Sequence, residues 1–259
     1  MRLPIRPLLR LLSITLTLLP APFRGRCAPR RMTFAAAFVL LLAPTAAMAQ
    51  GHYAERMAGF GAEEPITEAD VVMLGNSLTE FGGDWQARLP WVSGRVRNRG
   101  IAGDDTRGIT RRLRSVTQGR PKAILLECGI NDISHGLDAQ AVARRLCKLI
   151  DRIRRQAPRT VLIVQSLTPI NESTRRWKLL DGRSGDIPRV NAIVRDHCRA
   201  RGVAYIDLYR ALDTDGTGVL PIALTTDGLH LSEAGYALWQ RELEREARAI
   251  INGGTGNYQ

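Results

Sequence analysis

The chain has 259 residues, of which 44% are hydrophobic and 24% charged. That is room for one α/β domain with a full core, and it excludes a disordered or fibrous chain. The formal net charge of +12 is unevenly spread. The first 49 residues hold seven arginines and no acid, so residues 50–259 carry 30 basic against 25 acidic residues, a balance of +5. A balance that mild gives no reason to expect a nucleic-acid partner.

The leading segment reads as a targeting sequence. Arg30-Arg31 precedes an apolar run from Phe34 to Ala43, and Ala47-Met48-Ala49 supplies small residues at a cleavage spacing. This is the layout of a secretory signal, with cleavage expected after Ala49 and membrane contact only during export to the periplasm or outside. An uncleaved anchor is the competing reading. Thr33 stands where a twin-arginine signal prefers an apolar residue. The expected organisation is a leader at 1–49, a lead-in at 50–69, a catalytic domain at 70–251 and a flexible tail at 252–259. Export implies an oxidising compartment for Cys128, Cys147 and Cys198. A Cys147–Cys198 bridge is open, since pairing cannot be deduced from sequence. No Cys/His cluster suggests a metal, and no cofactor is expected.

From residue 70 onward, apolar strand-like runs alternate with helical periodicity. The strands are expected at Asp70–Leu74, Val96–Ile101, Ala123–Cys128, Thr160–Leu167 and Val203–Leu208. Helices are expected at Thr106–Gln118, Asp138–Gln156, Asp186–Arg201 and Ser232–Ile251, the last opened by Ser232 as cap. Asn171–Gly185 and Asp213–Gly216 read as loops. Five strands alternating with helices argue for a three-layer α/β/α sandwich around a five-stranded parallel sheet of flavodoxin-like type. In such sheets function collects beyond the carboxyl ends of the strands.

Polar clusters stand at those ends. Gly75-Asn76-Ser77-Leu78 follows the first strand, Gly103-Asp104 the second, Gly129-Ile130-Asn131-Asp132 the third, and Asp227-Gly228-Leu229-His230 precedes the last helix. A serine hydroxyl needs a base to become a nucleophile, and His230 can be that base. Asp227, three residues earlier, can hold the other imidazole nitrogen. A developing oxyanion needs preset donors, for which the Ser77 N–H, the Gly103 N–H and the Asn131 amide are candidates. Each cluster alone could be an ordinary turn; all four at successive strand ends argue for a site.

On these residues the sequence resembles the SGNH hydrolases, also called GDSL esterases or lipases, over most of 70–245. The resemblance implies Ser77 as nucleophile, His230 as base, Asp227 as its orienting acid, and Ser77, Gly103 and Asn131 as the oxyanion hole. Asn76 stands where the family name places Asp. Asn98-Arg99-Gly100-Ile101-Ala102-Gly103-Asp104-Asp105-Thr106 and the strand before Asn131 are most similar to the branch with platelet-activating-factor acetylhydrolase-type and sialate O-acetylesterase-like enzymes. That similarity implies short, often acetyl, acyl groups on a small-molecule or glycan-linked ester. Thr79 replaces the second glycine of a GxSxG elbow, which argues against an α/β-hydrolase. The rival functions are a lipase or lysophospholipase and, in another class, a catalytically silent envelope or carbohydrate-binding protein. A flavodoxin-like nucleotide binder lacks the glycine-rich phosphate loop.

Among the remaining polar residues, His52 lies just past the leader, where unordered chain is expected. His135 is expected on a surface loop, and His197 exposed or packed on a helix. Arg107, Arg111, Arg112 and Arg114 are expected to form a solvated helix face.

Overall fold

The computed structural model describes residues 50–253. The expected leader and its cleavage site lie outside the described residues, as does most of the expected tail. The described chain opens with a helix over residues 50–62 (α1). It then alternates β1 (Val71–Gly75), α2 (Ser77–Phe81), α3 (Trp85–Arg88), β2 (Val96–Gly100), α4 (Thr106–Arg112), α5 (Arg114–Thr117) and β3 (Ala123–Glu127). There follow α6 (Ile130–Ser134), α7 (Ala139–Gln156), β4 (Val161–Gln165), α8 (Asp186–Arg201), β5 (Ala204–Ile206), α9 (Leu208–Leu212) and α10 (Glu233–Ile251).

The five strands form one parallel sheet in the order β2-β1-β3-β4-β5. Every residue of β1 and of β3 is buried, as a sheet covered on both faces requires. Alternate residues of β1 feed opposite cores. Val72 and Leu74 pack with residues of α4, α7 and α8, while Val71 and Met73 pack with α3, α9 and α10. The direction in which strands are added to the sheet reverses at β1, whose neighbours β2 and β3 lie on opposite sides of it. This switch point is where such sheets open a crevice at the strand ends.

The strand expectations hold to within two residues at each end. The exceptions physically matter. The helix expected over Thr106–Gln118 is broken at Leu113 into α4 and α5. The lead-in is helical, and His52 sits in it as an ordered residue, with Nε2 3.1 Å from Glu80 Oε2. The edge strand β2 is where α1 is anchored. Arg99 stacks over the Phe60 ring at 4.5 Å, and Arg97 bonds Glu63 and Asp70. Cys128, Cys147 and Cys198 are free thiols. No helix of the described residues is long and apolar enough to cross a membrane.

Candidate active site

The Ser77 turn is built from both ends of the crevice. β1 delivers the chain at Gly75, and Asn76 caps α2 by accepting the Leu78 N–H on Oδ1 at 2.8 Å. Buried rings then hold α2: Trp85 Nε1–H donates to the Thr79 carbonyl and Tyr236 O–H to the Leu78 carbonyl, each at 2.8 Å. Gly100 of β2 permits the close approach of α2, since a Cβ there would stand 2.2 Å from the Glu80 nitrogen.

The sequence places Ser77 and His230 153 residues apart; the fold brings Ser77 Oγ to 2.9 Å from His230 Nε2. His230 Nδ1 lies 2.8 Å from Asp227 Oδ2. The other carboxylate oxygen accepts the backbone N–H groups of Leu229 and His230. Burial raises the Asp227 pKa, but the hydrogen bonds from the His230 ring and these two amides outweigh it and hold the carboxyl below its usual range. The loop is clamped from outside as well. Asn171 N–H donates to the Gly228 carbonyl at 2.7 Å, and Thr174 Oγ1–H to the Asp227 carbonyl at 2.8 Å. Two half-exposed aromatics neighbour the His230 ring, with Phe81 at 5.0 Å and Trp177 at 5.1 Å between centroids. Trp177 thus reaches the site from within the 171–185 loop.

The expected oxyanion donors stand at the neighbouring strand ends. Gly103 has φ +83 in open space, so its role rests on backbone conformation and on leaving room rather than on packing. The Ser77 and Gly103 N–H groups donate no hydrogen bond among the described residues. Asn131 Nδ2 donates one proton to the Asp104 carbonyl at 2.8 Å, which fixes the amide's orientation and leaves its second N–H free.

Supporting residues escaped the sequence reading. Arg112, expected in a solvated face, is 4% exposed. Its Nε pairs with Asp104 Oδ2 at 2.6 Å, and its Nη2 donates to the Gly75 carbonyl, tying the Gly103 loop to the end of β1. The available signal was its place among Ile109, Leu113 and Val116 on the apolar stripe of the helix. Asp132 accepts the Thr106 N–H and hydroxyl and an Arg145 N–H. Glu80 accepts the Ala102 N–H at 2.6 Å, next to Gly103, and is held by His52 and Arg56. His135 caps α6 on the surface, and His197 lies 3.1 Å from Asp151, away from these residues in the chain and bonded elsewhere.

Among the described residues no cluster of His, Cys, Asp and Glu is arranged to hold a metal. A hydroxyl, an imidazole and a carboxylate in hydrogen-bonded series, beside unpartnered N–H donors, can activate an oxygen nucleophile and stabilise an oxyanion.

The sequence profile of the GDSL-like Lipase/Acylhydrolase family matches residues 73–238, a span that includes both Ser77 and His230. The chain belongs to this family. As a GDSL-like acylhydrolase it is a carboxylic ester hydrolase, and its parallel α/β/α sandwich is the family's fold. Among solved structures it is similar to a Streptococcus pneumonia protein provisionally described as a platelet activating factor. The two are 25% identical, with a TM-score of 0.68 over 82% of this chain and 99% of that one. A GDSL-like lipase from Bacteroides thetaiotaomicron aligns at 19% identity and TM-score 0.65, over 77% of this chain and 97% of its own. A variant of an acetyl-xylooligosaccharide esterase from Geobacillus Stearmophilus aligns at 19% identity and TM-score 0.53, covering 71% and 96%. No curated protein matches the chain.

Proposed function

We propose that this acylhydrolase is an exported serine esterase that removes short acyl groups, acetyl above all, through an acyl-enzyme. The observation that carries the reading is the series Ser77 Oγ–His230 Nε2 at 2.9 Å and His230 Nδ1–Asp227 Oδ2 at 2.8 Å. Neutral His230 takes the proton of Ser77 as Oγ attacks the ester carbonyl. Asp227 holds the tautomer that leaves Nε2 free to accept, and it stabilises the imidazolium that forms. The N–H groups of Ser77 and Gly103 and the second N–H of Asn131 receive the oxyanion. His230 then protonates the departing alcohol, and water, deprotonated by the same imidazole, cleaves the acyl-enzyme.

Acyl length follows from apolar surface. A long chain gains about 0.8 kcal/mol for each methylene taken from water, which requires an apolar trough. Among the described residues the aromatic rings that pair with His230 are those of Phe81 and Trp177, walls suited to a small acyl group or the face of a sugar. The acetyl assignment is in keeping with the fold shared with an acetyl-sugar esterase.

The test is a series of aryl esters from acetate to decanoate with a fluorophosphonate probe. Turnover should be highest at acetate, and Ser77→Ala should lose both hydrolysis and labelling. Full labelling of Ser77→Ala would move the nucleophile elsewhere, and a maximum at decanoate would replace the esterase with a lipase.

A further inference from the structure

One cleft lies between α4 and α7, with a volume of about 610 Å³. Six cations line it: Arg107 and Arg111 from α4, and Arg145, Lys148, Arg152 and Arg155 from α7. No carboxylate is among its lining residues. Of the six, Arg145 alone has an ion pair among the described residues, with Asp132 at 3.0 Å. These six more than account for the charge excess of the chain after residue 49. Without them, 24 basic residues face 25 acidic ones, and the remainder is near neutral. Crowding five unpaired cations into one groove costs repulsion that an anionic occupant would relieve.

We propose that this cleft binds the anionic stretch of an acidic glycan, and that the same glycan carries the ester presented to Ser77. The second clause rests on the esterase reading; the first does not. Position supports the link. Thr106, at the head of the cleft, follows Gly103 by three residues, and its N–H and hydroxyl hold Asp132, the neighbour of Asn131. From there the cations of α7 run from Arg145 to Arg155, about 15 Å along a helix rising about 1.5 Å per residue. A track of that length suits a chain with repeated negative charges more than a single small anion. A nucleic acid would call for aromatic side chains to stack its bases, and none lines the cleft. A membrane surface would call for protruding apolar residues, and the cleft's Leu149 is 2% exposed.

The experiment measures binding by fluorescence anisotropy to Ser77→Ala, so that nothing is consumed. The probes are a labelled oligogalacturonate, a neutral xylooligosaccharide of equal length and a single-stranded oligonucleotide of equal charge; phosphatidylglycerol vesicles are tested by co-sedimentation. The uronate should bind tightest, and its affinity should fall steeply between about 50 and 200 mM salt. The combined change Arg111→Glu, Lys148→Glu and Arg152→Glu should weaken uronate binding at least about tenfold, the loss expected when several charge contacts are reversed. Circular dichroism melts establish that the variant is folded; if it is not, Lys148→Glu and Arg152→Glu singly should each lower affinity. Equal binding of the neutral sugar, unchanged binding by the variants, or tighter binding of oligonucleotide or vesicle overturns the proposal. Uronate binding alongside a wild-type protein that hydrolyses no ester would sink the esterase reading and leave the cleft. Ester hydrolysis without uronate binding would do the reverse.

Discussion

Glu127 ends β3 with its carboxyl wholly out of solvent, and its register partner is Gly75, two residues before Ser77. Neither carboxyl oxygen has a hydrogen-bond partner, and Asn76 Nδ2, which tends to favour the charged form, closes no bond to it. Burial therefore dominates and pushes the Glu127 pKa up to about 8, so the group is mostly neutral at pH 7. The unfolded chain ionises this carboxyl near 4.5 and the folded protein only near 8, so the native state binds the extra proton between those values. Stability should thus be fully present below about 4.5 and decline as pH rises through 8. Urea melts of wild type and Glu127→Gln across that window check this; the variant should lack the decline that Glu127 contributes. Asn131 makes a second test at this scale. Asn131→Ala should remain folded and lose about 10²–10³ in turnover, as removal of one oxyanion donor does. Wild-type turnover on aryl acetate would remove Asn131 from the chemistry.

Among the elements, α4 shows how a helix expected for its surface comes to serve the site. Its apolar stripe was legible at Ile109, Leu113 and Val116, but period alone cannot show that the stripe also admits a charged residue. Arg112 enters because Asp104 waits below it, and the pair bridges the loop after β2 to the end of β1. Removing one partner of a buried pair leaves the other charge uncompensated, which costs about 3–5 kcal/mol. Arg112→Ala should lower the thermal midpoint by several degrees and also lower kcat through the displaced Gly103 loop. Unchanged turnover in a folded variant would show that the pair serves stability alone. The short helices α2 and α6 were invisible to periodicity because five residues do not complete two turns. Their existence depends on caps and buried rings from elsewhere in the chain, such as Trp85 and Tyr236 on α2. α1 escaped for a different reason: it is bound by Arg97, Arg99 and Gly100 of a strand that begins over thirty residues later.

Across the whole molecule, charge is partitioned. The first 49 residues hold seven arginines, the α4–α7 cleft six cations, and the rest is close to neutral. The two concentrations have different consequences. The first is what a secretory signal would carry, and we propose that it is one: N-terminal sequencing of exported protein should then begin at Gln50, and a mature chain retaining Phe34–Ala43 would refute cleavage. The second is a surface of the folded domain, which composition averaged away. The sequence by itself determined the layered fold, because an all-parallel sheet must bury both faces and therefore writes its strands as continuous apolar runs. It also determined which residues stand at the strand ends, since those runs stop where the chain must turn. Only the tertiary structure decided that Ser77 Oγ meets His230 Nε2, that Arg112 reaches the Gly75 carbonyl and that the cations of two helices share one groove. Each of these is a contact between residues distant in the chain, set by how the helices pack on the sheet, and no local pattern encodes such a distance.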